Sequence, residues 1–165
     1  LVHEHLVGRF RGTPHRDLVV LAGFGRFGQS VLHQLQQHAP GSFDHIVIID
    51  EHATRNARAF AHEPGFATDY DRVVIDGDLL DPEIWGRIAE VVRAHGHDPV
   101  IVLGSGNDGT NLQAALVVQK QHPDAYVIVR SFRASPFTAE IAEEVGVHAY
   151  NLAELIERGM PEEWF

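Results

Sequence analysis

Short apolar runs alternate with amphipathic stretches along most of the chain. LVVLA (18–22), IVII (46–49), VVI (73–75), VIVL (100–103) and YVIV (126–129) are continuous rather than alternating, and VHAY (147–150) is a weaker sixth. A run that is apolar at every position suits a parallel strand whose sheet is covered by helices on both faces. Each gap leaves room for a crossover helix, and the spacing predicts helices over 27–38, 53–62, 82–95, 109–121, 135–144 and 152–159. Phe27, Val31, Leu32 and Leu35 fall on one face of the first. Asp81-Pro82-Glu83 gives the third an N-cap followed by a first-turn proline. The pattern is one of repeated βαβ units: a Rossmann-like α/β fold, a doubly wound parallel sheet of about six strands with helices on both faces.

Two connections are expected, a long polar one at EPGFATDYDR (63–72) and a shorter one at HAPGSFD (38–44). Residues 1–16 precede the first strand as an N-terminal arm or linker. Either Leu1, Leu6, Val7 and Phe10 line one face of a short basic helix or the segment is a disordered arm, with Gly12, Thr13 and Pro14 as a link to the body at 17–165. The chain starts at Leu1 and its only methionine is Met160, so we expect a piece of a longer protein.

Composition narrows the functional classes. The 165 residues allow one domain that hides about 70% of its unfolded surface. With 13 Lys and Arg against 23 Asp and Glu, the formal charge is −10, which argues against nucleic acid as a partner. Anions must therefore be held locally, by loops or helix ends. The lack of cysteine excludes thiol nucleophiles, disulfides and thiolate metal sites. No apolar run approaches the roughly 20 residues a membrane span requires, so direct membrane insertion is not expected of this chain.

The chemistry concentrates at LAGFGRFGQSVLHQL (21–35), where a GxGxxG spacing joins a buried-strand pattern to an amphipathic helix. Gly23 would make the tight exit turn, Gly25 would leave bare backbone for phosphates, and Gly28 would let the helix pack against the sheet. A helix N-terminus offers unpaired N–H groups and the positive end of the helix dipole, so phosphate binding needs no basic patch. Asp50 ends IVIID, 22 residues beyond Gly28. A carboxylate there either accepts from a ribose 2′-hydroxyl, disfavouring a 2′-phosphate, or serves as a strand-end acid or helix cap. Glu51 is its neighbour, with a role that cannot be separated from it.

An oxidoreductase also needs a substrate pocket and a proton-transfer group, and after six strands little of this chain is left to build them. The twelve histidines include the pairs His3/His5 and His95/His97 but no HExxH-type grouping, so no metal site is assigned. None of the serines lies in a GxSxG elbow.

Two further stretches, VVIDGDLLDPEIW (73–85) and VIVLGSGNDGTNLQAAL (100–116), together with GFGRFG, resemble the RCK family, also called KTN or the TrkA N-terminal domain. The resemblance runs from about Asp17 to Leu155. It rests on Arg26 inside the glycine loop, Gly77-Asp78 ahead of Asp81-Pro82, Asp108-x-x-Asn111, and VIVR ending at Arg130. That family regulates potassium channels and transporters. The resemblance implies a non-catalytic cytosolic domain that binds NAD(H) or an adenine nucleotide such as ATP, ADP or AMP as a ligand. It also implies pairing into a homodimer or higher oligomer beside a membrane potassium channel or transporter subunit.

Carried onto this sequence, the resemblance has Gly23, Phe24, Gly25, Arg26, Phe27 and Gly28 cradle the phosphates while Asp50, with Glu51 as its neighbour in the site, holds the ribose. Asp78, with Leu79, would sit beside the adenine or its ribose, or else cap the next helix. Arg26 would reach a terminal phosphate, one in a partner subunit included, and its alternative is an exposed arginine at a helix end that disfavours cations. Gly104 and Ser105 would line the nucleotide edge, the serine serving either ligand or helix cap. Arg130 would face an anion or pair with a local acid. The long 63–72 connection and the lack of a C-terminal ligand-binding lobe depart from the family pattern. A small or truncated NAD-dependent oxidoreductase is the competing expectation.

Overall fold

The apolar runs become adjacent parallel strands in a computed structural model, which describes residues 18–38, 43–61, 71–95, 99–131 and 148–151. In chain order the elements are β1 (Leu18–Ala22), α1 (Arg26–His38), β2 (His45–Asp50), α2 (Ala53–Phe60), β3 (Asp71–Asp76), α3 (Pro82–His95), β4 (Val100–Leu103), α4 (Asp108–Gln121), β5 (Tyr126–Ser131) and β6 (His148–Asn151). Five strands form the body of the sheet in the order β3-β2-β1-β4-β5, and β6 adds an outer strand beside β5. Every pairing is parallel. The fold is the Rossmann-like α/β arrangement expected.

Alternate residues of one strand feed opposite layers, because successive side chains leave a strand on opposite faces. Val19 and Leu21 pack with Val31, Leu32 and Leu35 of α1 and Ala53, Ala57 and Phe60 of α2. Leu18, Val20 and Ala22 pack with Ile84, Trp85 and Ile88 of α3 and Ala114, Ala115 and Val118 of α4. All five residues of β1 are buried, which is why LVVLA carries no polar position. The helix pair changes face as the chain passes from the β2–β3 side of β1 to the β4–β5 side. The topological switch point therefore lies between β1 and β4, and the crevice at the C-terminal ends of these strands is where α/β sheets receive ligands.

Some boundaries differ from the sequence reading. β3 begins at Asp71, inside the stretch expected to be a connection, and pairs from Asp71 opposite His45 to Asp76 opposite Asp50. It is an edge strand whose ladder is made by backbone groups, so polar Asp71 and Arg72 extend it without an apolar signal. α2 stops at Phe60, where the Ala61 N–H still bonds the Ala57 carbonyl. The arm at 1–16, the helices expected over 135–144 and 152–159, and most of 63–72 lie outside the described residues.

Candidate functional site

The glycine loop is packed against its own protein at both ends and open in the middle. Gly23 has φ of 97°, a backbone region that disfavours any side chain, and a Cβ there would lie 2.6 Å from the Ser105 nitrogen. A Cβ on Gly28 would come within 2.2 Å of the Gly23 carbonyl oxygen, so the start of α1 closes directly onto the exit turn of β1. Gly25 is exposed, and among the described residues a Cβ there would meet nothing within 4 Å beyond its chain neighbours. The Gly23 N–H bonds the Ile49 carbonyl at 2.7 Å, and the Gly104 N–H bonds the Ala22 carbonyl at 2.7 Å. These bonds tie the loop to β2 on one side and to β4 on the other.

α1 begins at Arg26, so the N–H groups of its first turn lack acceptors within the helix and present the positive end of its dipole. The first turn carries no acidic side chain to occupy that end. Arg26 is exposed at its start. Phe24 is fully buried and packs edge-on to Phe60, with ring centroids 5.6 Å apart. Its role is therefore to anchor the loop in the core, while its backbone faces Asp50.

Both carboxylate oxygens of Asp50 are engaged within the protein. One carboxylate oxygen accepts the Phe24 N–H at 2.8 Å and the other accepts the His52 N–H at 2.8 Å, so the side chain locks the glycine loop to the turn that opens α2. Glu51 is exposed beside it. In the next strand the register partner of Asp50 is Asp76, which the sequence reading passed over. Asp76 accepts the Thr54 N–H at 2.9 Å and the Thr54 hydroxyl, and caps α2 from outside the helix; His52, at the N-cap position, makes no side-chain cap. The Thr54 bonds hold the Asp76 carboxyl below its ordinary range. An open groove of about 530 Å³ runs along α2, lined by Glu51, His52, Thr54, Arg55, Arg58, Ala59 and Asp76. It shares only Glu51 with the sequence-predicted residues and includes nothing from the glycine loop, so we place the candidate site at the switch point, where the exposed backbone is.

Around Gly77-Asp78 local structure accounts for much of the motif. A Cβ on Gly77 would meet the Ile84 side chain at 2.6 Å. Asp78 is exposed, and its carboxylate accepts the Leu80 N–H at 2.9 Å. Leu79 belongs to the core rather than to an open site: its side chain is buried, and its carbonyl accepts the indole N–H of buried Trp85 at 2.7 Å. Asp81 caps α3 through the Glu83 N–H at 2.9 Å, as its place before Pro82 predicts.

On the other side of the switch point the organising residue is Asn111, which is fully buried. Its side-chain oxygen accepts the Ser105 N–H at 2.9 Å and the Ser105 hydroxyl at 2.7 Å. Its amide donates to the carbonyls of Ser105 at 3.1 Å and Arg130 at 3.0 Å. The Ser105 hydroxyl thus serves the β4–α4 turn, and Asn107 caps α4 by accepting the Thr110 N–H at 2.9 Å. Asn111 stood in a recognised motif without a role; the signal that would have assigned one is an amide at an otherwise apolar helical position. Gly104 touches the site more closely, since a Cβ there would lie 2.5 Å from the ring of half-buried Phe27. The Arg130 guanidinium carbon sits 4.8 Å from the centroid of that same ring.

The structure thus brings Gly23, Phe24, Gly25, Phe27, Gly28, Asp50, Gly104, Ser105 and Arg130 around one switch point, and holds Asp78 and Leu79 in the turn between β3 and α3. A glycine loop joining β1 to a helix N-terminus, with an acid at the end of β2, defines the Rossmann class of nucleotide-binding domain. Within that class, residues 19–151 match the model of the TrkA-N domain, and the chain belongs to this family. TrkA-N domains bind nucleotides and often regulate potassium transport. Among curated proteins, none matches the chain significantly. Among the described residues, no helix is long and apolar enough to cross a membrane.

Proposed function

We propose that this chain is a cytosolic regulatory domain that binds NAD(H) or an adenine nucleotide as a ligand and passes its occupancy to a potassium channel or transporter. The observation that carries the reading is the loop itself, with Gly23 and Gly28 closed against protein atoms and Gly25 left open between them. A turn needed only for chain reversal has no use for the open position, whereas a phosphate does. In this reading Gly23 to Gly28 take the phosphates, Asp50 and Glu51 the ribose, Asp78 the adenine side, and Gly104, Ser105 and Arg130 the far edge. Leu79 contributes backbone alone.

Regulation requires that the ligand bind one arrangement of a homodimer or larger assembly better than another, because equal affinity for both shifts nothing. Arg26, exposed at the start of α1, would reach a phosphate held by a second copy. The assembly would sit at the inner face of the membrane, bound to or continuous with the transport protein.

Calorimetric titration with NAD, NADH, ATP, ADP and AMP tests the reading. Binding of at least one by the native chain, lost in Gly25→Ala, is the expected result. No binding of any of them removes its basis, and hydride transfer to an added substrate would replace it with an oxidoreductase.

A further inference from the structure

The sheet ends on one side at β3, and the outer edge of that strand is open to another strand. The Gly77 N–H bonds the Asp50 carbonyl at 3.0 Å, so the odd-numbered residues of this stretch turn their backbone groups toward β2. Successive residues alternate, so Arg72, Val74 and Asp76 turn their N–H and C=O groups outward. Among the described residues, no strand pairs with them there. The register with β2 runs unbroken from Asp71 to Asp76, and the strand contains neither proline nor glycine. Of the devices that blunt an edge, it carries only charge.

Both faces of β3 have room for a neighbour. On the face of α3 and α4, Val73 is 39% exposed although Ile75, two residues on, is buried. On the other face, Val74 packs only partly against the layer of α1 and α2. The open groove on that side is lined by α2, Asp76 and the turn residues Glu51 and His52, with nothing from α1 or β1. α2 contacts both β2 and β3. A strand added beside β3 and carrying its own copy of α2 would set the two helices about 10 Å apart, two strand spacings, which is the distance of packed helices.

Charge decides which strand arrives. In DRVVID the exposed cation Arg72 and the exposed anion Asp76 stand at equal distances from Val74. When two copies pair antiparallel with Val74 opposite Val74, each Arg72 lies opposite the Asp76 of the other copy, and each Val73 opposite an Ile75. The same register sets all the outward backbone groups of residues 72, 74 and 76 against one another. We propose that β3 is a docking edge for a second copy of this chain, joined antiparallel about Val74 into one continuous sheet. The two crevices then open at opposite ends of the joined sheet. The contact therefore needs no nucleotide, and is separate from one in which Arg26 reaches a neighbour's phosphate.

Sedimentation velocity and amide exchange over a range of protein concentrations test it. The native chain should self-associate, and the Val74 amide should gain protection as concentration rises while the Ile75 amide, directed to β2, stays as it was. Val74→Pro removes an outward N–H and leaves the ladder with β2 whole, so it should abolish this association. Arg72→Glu and Asp76→Lys each set like charges opposite one another at two places, and each should weaken it about tenfold or more. Mixed in equal amounts, the two variants restore opposite charges at both places and should associate nearly as the native chain does. Loss of the Asp76 cap on α2 alone would give no such rescue. A native chain that stays monomeric, a Val74 amide whose protection ignores concentration, or a mixture no tighter than either variant by itself overturns the proposal. If Val74→Pro does not fold, the mixture decides.

Discussion

Gly25 and the two glycines that flank it in the motif make opposite demands on a methyl group. At Gly25 the backbone is not left-handed and the space is open, so Gly25→Ala should leave chemical denaturation within about 0.5 kcal/mol of the native chain. At Gly28 the methyl would be driven into the Gly23 carbonyl, and Gly28→Ala should cost about 2–3 kcal/mol in the same measurement. A nucleotide titration of the folded Gly25→Ala protein then isolates ligand from fold. Asp50→Ala is a poorer probe than the sequence suggests, because it also releases the Phe24 and His52 N–H groups. This is the limit of what was legible at the site. GxGxxG and a strand-end acid are local signals, whereas the Asp50–Phe24 bond spans 26 residues and the Asn111–Arg130 bond 19, which no spacing rule reveals. Leu79 lies in the core beside Trp85 of the next helix, a burial that a motif match does not show.

At the scale of elements, α4 depends on one buried amide and α2 on one exposed carboxylate. Asn111→Ala removes bonds to Ser105 and to the end of β5 together, and should lower stability by about 2–3 kcal/mol in urea. The cap on α2 is pH-dependent. The Asp76 carboxyl is lowered by its bonds to Thr54, so its contribution is present above the ordinary value of 3.8 and is lost as pH falls through the folded value. Protection of the amides at the start of α2 against exchange, relative to the unfolded chain at the same pH, should fall over that acid range in the native chain and be low throughout in Asp76→Ala. His122, at the C-cap of α4, works in the opposite chemical sense. Burial lowers its proton affinity from the ordinary 6.5, so the unfolded chain takes up the proton first and stability falls as pH drops below that value. Thermal unfolding of His122→Gln between pH 7 and pH 5 should show a shallower decline than the native chain. Elements were the most legible level: LVVLA, VIVL and the Pro82–His95 helix match the sequence reading residue for residue. β3 was read short because an edge strand is held by its ladder, not by burial of every side chain.

On the scale of the whole molecule, the proposed function asks an acidic protein to hold an anion. The formal charge of −10 would repel a polyphosphate at a distance, while attraction would come from the dipole of α1 and, on that proposal, from single cations such as Arg26 and Arg130. These two terms differ in range. Repulsion among exposed charges acts over tens of ångströms at low salt and is screened within about 8 Å at physiological ionic strength. The short contacts, made at the ends of β1, β4 and β5, are screened much less. Added salt should therefore raise the association rate constant for ATP, the reverse of what a basic nucleotide-binding surface shows, while the dissociation rate changes little. Stopped-flow binding at roughly 20 and 150 mM salt, either side of the point where the Debye length falls below the molecular radius, measures both rates. An association rate that falls with salt would mean that a broader positive surface, not the loop and its two arginines, draws the ligand in.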